Sequence, residues 1–502
     1  MKEKFQKLVE SPIGKKIDWF CNSVWYILAY GIVVTLSHAF NLPVIGAALL
    51  TVLLSLSFVF CKNSFTLVPF FLMCSFVLSV DTKPNTGYFN SPLKITVLCL
   101  LFATLVVMLV FNLIYYGKWR KIFKRAYLSV SVALITGALV VGGIWTSLRS
   151  WTGVGMALAI GACIFLPYSL LFNCGEYKGR KTIEYFAWAL IIAAVVIFEA
   201  VIQQYIIHGL SLSYHPKNLL EFGHTVSNSA AVIVLMALPM TFYMVYKYKH
   251  GFAFLFAVAL DLITIFLTYS RATLLVAVVG TAIVAIVLCF KKKNGRLAYR
   301  ISFGIACAIV LVIAIIFRDT IINQIKGLVG SNFWSGSGRT GLWGEGFELW
   351  KNNPIFGIGL WYLPQVQAPL HFYHSFHCTP LTYLYCAGIL GLAAYCYHRY
   401  KTVRSFFSAK LTVERIFVAL SVLTLLINSL LDIYMTEPLH LLYYGVMLAL
   451  IECDVRAIKT NCAVKPVQIH LNENADNISG DKKDNSEQNN LTNEVNNDGM
   501  QS

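Results

Sequence analysis

Apolar residues fall in long uninterrupted blocks that recur from one end of the chain to the other. Runs of roughly 17 to 25 such residues are long enough to cross a hydrocarbon layer about 30 Å thick as helices. Lipid offers backbone N–H and C=O groups no partners, so such runs are expected to be helices that satisfy their own hydrogen bonds. The pattern predicts fourteen spans, over residues 21–40, 42–61, 64–81, 95–116, 126–146, 153–173, 183–207, 228–248, 252–269, 272–290, 301–317, 379–398, 416–434 and 438–453. The expected fold is an all-α polytopic membrane protein with a basic N-terminus (1–20), eleven spans (21–317), one long polar segment (318–378), three further spans (379–453) and a polar tail (454–502).

Composition sharpens this picture. Of 502 residues, 57% are hydrophobic and 13% charged, against about 25% charged in soluble domains, which excludes soluble enzyme folds. The net charge of +16 sits in short basic clusters between spans, a distribution that orients a membrane protein and does not point to nucleic acid. With the N-terminus inside, 31 of the 40 Lys and Arg fall on the inner side and nine on the outer. That asymmetry predicts both termini in the cytoplasm and the 318–378 segment outside, together with Arg271 and the 208–227 loop. The thirteen cysteines lie mostly within spans, without a CxxC pair, and read as packing residues. Residues 1–20 lack the apolar core of a cleaved leader. From Asn461 the tail is too polar to bury a core of its own and is expected to be disordered. No Walker or Rossmann glycine pattern is present, which argues against ATP-driven transport and against a nucleotide-sugar donor held by a soluble domain.

The external segment is where polar residues concentrate. Thr340–Leu349 is predicted as a helix, stopped by Lys351-Asn352-Asn353-Pro354, with Trp343, Trp350, Trp361 and Tyr362 suited to the headgroup level. Arg339 precedes it on a Ser335–Gly338 lead, where a guanidinium beside helix N-terminal amides suits an anion such as phosphate; an interfacial arginine touching lipid phosphates is the structural alternative. Arg271 lies between two closely joined spans, a costly place for a cation unless it lines a wet cavity or snorkels. Glu199 and Asp261, also within spans, could pair with such a cation or bond inside the bundle. His374 and His377 close the loop, and either imidazole can act as a general base. Their spacing also permits metal ligands, but no HExxH or acidic partner supports a metal. His371, His215 and His224 are further external histidines with no claim beyond loop polarity.

Taken in order, Thr268-Tyr269-Ser270-Arg271-Ala272, Gly338-Arg339-Thr340-Gly341-Leu342-Trp343, Asn353-Pro354-Ile355-Phe356-Gly357-Ile358-Gly359, and His377 followed by Leu381 and Gly388-Ile389-Leu390-Gly391-Leu392 resemble the O-antigen ligase and polymerase family. The likeness covers roughly residues 228–395. It implies a GT-C-like helical bundle of twelve to fourteen transmembrane helices in the bacterial inner membrane, with its active site on the periplasmic face. It implies a metal-independent, inverting glycosyltransferase without cofactor. The donor would be an undecaprenyl-diphosphate-linked glycan, and the acceptor a hydroxyl of lipid A core, of another lipid-linked glycan in a polymerase, or of protein in an oligosaccharyltransferase. By the same resemblance, Arg271 and Arg339 correspond to the arginines that hold the diphosphate, and His377 to the family's histidine. Cys378 replaces the usual following asparagine, which leaves His374 as the alternative base. A polysaccharide or small-molecule transporter is the rival reading from another class, since many spans with a few intramembrane charges suit it equally.

Overall fold

A computed structural model describes residues 2–40, 42–79, 92–145, 151–207, 209, 227–292, 295–316, 318, 322, 339–360 and 376–476. The chain divides into two units, residues 1–455 and 456–502. Among the described residues there are helices and no strands. In order these are α1 (Lys2–Glu10), α2 (Pro12–Cys21), α3 (Val24–Ala39), α4 (Pro43–Phe60), α5 (Val68–Met73), α6 (Pro92–Tyr115), α7 (Trp119–Ile122), α8 (Ser129–Trp145), α9 (Trp151–Cys174), α10 (Arg180–Ile207), α11 (Ser227–Lys247), α12 (Leu255–Leu267), α13 (Arg271–Lys291), α14 (Arg296–Ile316), α15 (Arg339–Asn352), α16 (Thr379–Phe406), α17 (Val413–Ser429) and α18 (Pro438–Asp476). The bounds of α18 extend past the span predicted to end at 453.

Among the described residues six helices are long and apolar enough to cross a membrane, or seven if α2 and α3, bent by 69° at their junction, are one span. Shorter apolar helices cover Ser64–Phe76, Cys99–Tyr115, Ser129–Trp145 and Gly251–Leu267. The fourteen predicted spans are therefore not all reproduced as long helices. The run at 64–81 shows why: a 3-10 turn over Ser64–Leu67, the short α5 and a second 3-10 stretch over Cys74–Ser79 divide it. Hydropathy is continuous there while the backbone path is not.

Two helices form the centre. α11 is buried on every side from Ser227 to Val245, and most of α10 is buried too. An apolar helix without a polar face belongs inside a bundle or in lipid, and these two are enclosed by protein: α10 packs on α3, α11 and α12, and α11 on α17 and α13. α13, by contrast, leaves Leu275, Val279, Ile283, Ile286 and Phe290 open, the surface of a helix that faces hydrocarbon. Three helix C-termini, whose last carbonyls lack intrahelical donors, are capped by buried side chains from elsewhere. Asn112 Nδ2 donates to Phe58 O at the end of α4 (2.6 Å), Lys292 Nζ to Tyr248 O beyond α11 (2.8 Å), and Arg415 Nη1 to Phe406 O at the end of α16 (3.1 Å). The two cations also complement the negative end of the helix dipole.

The feature that shapes the candidate site is a break in α16. Gly388 has φ 66 and ψ −161, a conformation outside the helix and open essentially to glycine alone. A break at this point frees backbone groups that water or lipid would leave unpaired, and residues 354–359 take them up. Ile358 N donates to Tyr385 O (2.9 Å), Gly359 N to Cys386 O (2.9 Å), Ile389 N to Pro354 O (2.9 Å) and Leu390 N to Ile355 O (3.4 Å). Non-helical backbone at membrane depth is tolerated only when protein satisfies it in this way. The strap lies so close that a Cβ on Gly388 would come within 2.1 Å of Ile355 O, and one on Gly142 of α8 within 2.4 Å of Cys386 O and 2.8 Å of Phe356 O. Gly388→Ala adds both a steric clash with backbone and strain on the order of 1–3 kcal/mol. The expected outcome is a clearly lowered melting temperature of the detergent-solubilised protein, read by size-exclusion chromatography after heating; a wild-type melting curve would contradict the fit.

Candidate active site

α15 and α16 are held together by the chain that connects them at either end. α15 stops where the sequence predicts: Asn353 N closes on Trp350 O (2.8 Å), Gly357 N on Asn353 O (2.9 Å), and the strap then locks onto α16. Helix formation starts at Arg339, one residue earlier than expected, and reaches Asn352. Trp343 is partly buried: its indole Nε1 donates to Phe376 O at 2.7 Å, and its own carbonyl accepts from Tyr385 OH at 3.0 Å. Gly346 lets α15 settle on the edge-to-face pair of Phe376 and Tyr385, whose ring centroids are 4.5 Å apart.

His377 follows Phe376 directly and has φ 46, the left-handed region that few side chains adopt. This turn aims the imidazole at the far side of the bundle, where Nδ1 lies 2.9 Å from Asp432 Oδ1. Asp432 is fixed in turn. Its carbonyl accepts from Thr379 Oγ1 (2.9 Å), Oδ1 also receives Ile433 N (3.0 Å) and Oδ2 faces Tyr434 OH (3.4 Å). An ionised carboxylate only accepts hydrogen bonds, so pairing with Asp432 puts a hydrogen on Nδ1 and leaves Nε2 as the ring nitrogen turned away from the carboxylate. With side chains 31% and 10% exposed, the imidazole is reachable and its orienting carboxylate is not. This is the base-and-orienter geometry of general-base catalysis.

Arg271 is the first residue of α13 and is partly buried. Tyr269 before it has φ 56, so a second left-handed residue sits two positions from a candidate site residue. The start of α13 is tied to the end of α17: Ser270 Oγ contacts Thr273 Oγ1 (2.8 Å), and Thr273 Oγ1 donates to Asn428 Oδ1 (3.1 Å). Asn428 is four residues before Asp432. The end of α17 and the turn after it thus anchor the start of α13 and His377, while Phe376 anchors α15 one helical turn after Arg339. Arg271 opens a helix tied to the end of α17, His377 pairs with the turn just beyond it, and Arg339 begins the helix that Trp343 fastens to Phe376. The Arg339 side chain lies outside the described residues, as do His374, His371, His215, His224, Trp361, Tyr362 and the Ser335–Gly338 lead.

Glu199 and Asp261 have other partners: Glu199 Oε2 lies 3.3 Å from His38 Nδ1, and Asp261 Oδ2 accepts from Thr241 Oγ1 at 3.1 Å. Sequence reasoning missed Asp432 because the span predicted over 416–434 absorbed it. The helix ends at Ser429, and Asp432 belongs to the turn that follows. A carboxylate inside an apolar run was the available signal, since such residues are expensive in lipid and mark function or pairing. Among the described residues no group of three or more His, Cys, Asp or Glu could hold a metal ion. Trp343→Phe keeps the ring and removes the bond to Phe376 O. It should cost about 1 kcal/mol and speed amide exchange in residues 339–352 in hydrogen–deuterium exchange; unchanged protection of α15 would separate it from His377.

No curated protein matches the chain. Residues 254–396 match the family model described as O-antigen ligase. The matched segment runs from the start of α12 through α15 and the strap into α16, and it contains Arg271, Arg339 and His377. Over this segment the chain is similar to the O-antigen ligase family.

Proposed function

We propose that the protein transfers a glycan from a lipid-linked diphosphate donor, undecaprenyl diphosphate in the bacterial inner membrane, to an acceptor hydroxyl at the periplasmic face. The observation that carries this reading is the His377–Asp432 pair, 2.9 Å apart, at the bundle end where Arg271 begins α13 and Arg339 begins α15. The asymmetry of basic residues along the sequence supports an external position for that end. The chemistry needs an acceptor of one proton beside cationic groups that stabilise a departing diphosphate, and this end of the fold supplies both residue types.

In this mechanism Arg271 and Arg339 bind the diphosphate, the latter beside the N-terminal amides of α15. Their charge offsets the negative charge that builds on the leaving group, a role a divalent cation fills elsewhere. His377 Nε2 takes the acceptor hydroxyl proton while Asp432 stabilises the resulting imidazolium. The oxygen attacks the anomeric carbon from the face opposite the diphosphate. The glycosidic bond forms as the anomeric carbon–oxygen bond breaks, with inversion, and undecaprenyl diphosphate leaves with the bonding pair. A lipid A core acceptor would make the protein a ligase, and a second lipid-linked glycan a polymerase.

Purified protein in nanodiscs, given lipid-linked donor and acceptor, provides the test. His377→Ala should lower transfer by about 10²–10⁴-fold, the usual contribution of a positioned base, and Asp432→Asn should lower it in the same direction. His374→Ala, with transfer at wild-type rate, would assign the base to His377; the reverse result would move the role to His374. Arg339→Lys and Arg271→Lys keep the charge but lose the bidentate fork, so transfer should fall steeply with insertion unchanged. Full activity in both lysine variants would remove the diphosphate clamp. Mass analysis of the product identifies which acceptor gained glycan.

A further inference from the structure

The turn after α17 carries a second carboxylate that the mechanism above does not use. Glu437 is five residues beyond Asp432, immediately before Pro438 opens α18. Its Oε2 accepts from Ser229 Oγ at 2.9 Å and lies 2.9 Å from His440 Nδ1. Both partners are built into the core. Ser229 belongs to the enclosed α11, and His440, fully buried, has its Nε2 3.2 Å from Ser229 O. The side chain of Glu437 nevertheless stays 26% exposed, and its two described contacts both fall on the same oxygen.

The turn links this carboxylate rigidly to the reaction centre. Tyr434 OH faces Asp432 Oδ2 at 3.4 Å, and the Tyr434 ring packs on the His440 ring with centroids 4.9 Å apart. Tyr383 OH of α16 donates to Met435 O at 3.2 Å, so the middle of the turn is tied to the helix that begins just after His377. Contacts therefore run without interruption from His377 through Asp432, Tyr434 and His440 to Glu437.

Glu437 meets the first turn of α18 through His440, on the same oxygen that receives Ser229 Oγ, and no described contact falls on its other oxygen. The first backbone bond into α18 is made by its carbonyl, where Leu441 N donates to Glu437 O at 3.2 Å, which any residue could provide. A fixed anion on this turn also cannot assist the diphosphate, because like charges repel. The part of the substrate pair that a carboxylate does recognise is a row of neutral hydroxyl donors, to which charge-assisted hydrogen bonds are the strong kind.

We propose that Glu437, held by His440 and Ser229, is a sugar-hydroxyl subsite that positions the incoming acceptor glycan beside His377. This rests on the glycan-transfer reading and adds which substrate the turn recognises. Glu437 acts as a positioning and specificity residue for the acceptor and takes no part in proton transfer.

The test uses the full chain in nanodiscs and a water-soluble oligosaccharide released by mild acid from the producing bacterium's own surface glycan. Binding is read by saturation-transfer NMR, and transfer kinetics are measured with acceptor and donor varied separately. Glu437→Ala should weaken oligosaccharide binding and raise the acceptor KM by about tenfold, the value of one hydrogen bond to a charged group, with donor KM and kcat within about twofold of wild type. Glu437→Gln keeps one accepting oxygen at the same size and should show a smaller shift in the same parameter; if the alanine variant fails to fold, this variant carries the test. Unchanged acceptor KM and binding in a folded variant, or acceptor and donor KM rising together, would overturn the subsite. If wild-type protein bound the oligosaccharide and lost it on Glu437→Ala, yet transferred no glycan, the transfer reading would fall and the subsite would stand.

Discussion

Four backbone hydrogen bonds between residues 354–359 and the broken middle of α16 are the constraint on which the candidate site depends. Each group they satisfy would otherwise be unpaired at membrane depth, where such a loss costs several kcal/mol. The break and the strap therefore stand or fall together. Their joint consequence is positional: the strap continues from α15, the first half of α16 continues from His377, and locking one onto the other holds α15 against Phe376 and Tyr385.

The turn after α17 provides the second fixed point. With the last turn of α17, which reaches α13 through Asn428, it contacts His377 and Thr379 through Asp432, Tyr383 through Met435, and α11 through Glu437. Residues separated by more than a hundred positions in sequence thus share one short connector. The helices around it bring rigidity, since most of α10 and nearly all of α11 are enclosed by protein. The outward face of α13 remains apolar and open, so Arg271 stands at the margin between protein and lipid.

Much of this was legible in the chain. The apolar blocks at 183–207, 228–248 and 272–290 correspond closely to α10, α11 and α13, and the start and stop signals of the 340–349 helix were sound to within a few residues. Hydropathy could not show the 69° bend between α2 and α3 or the break in α16, because a block's preference for hydrocarbon is the same whether its backbone is straight or kinked. The resemblance picked out Asn353–Gly359 and Gly388–Leu392 as motifs without indicating that they bind each other. Asp432 and Glu437 escaped notice for a related reason: their importance lies in contacts across the bundle, His377 with Asp432 and Ser229 with Glu437, which no local pattern encodes.

Two bulky residues, Tyr269 and His377, hold the left-handed backbone conformation, and both border candidate site residues. Side chains resist that geometry, so the surrounding packing must enforce it against local preference. Each kink therefore costs the bundle some stability, a cost met by the packing that holds His377 against Asp432 and sets Tyr269 ahead of Arg271.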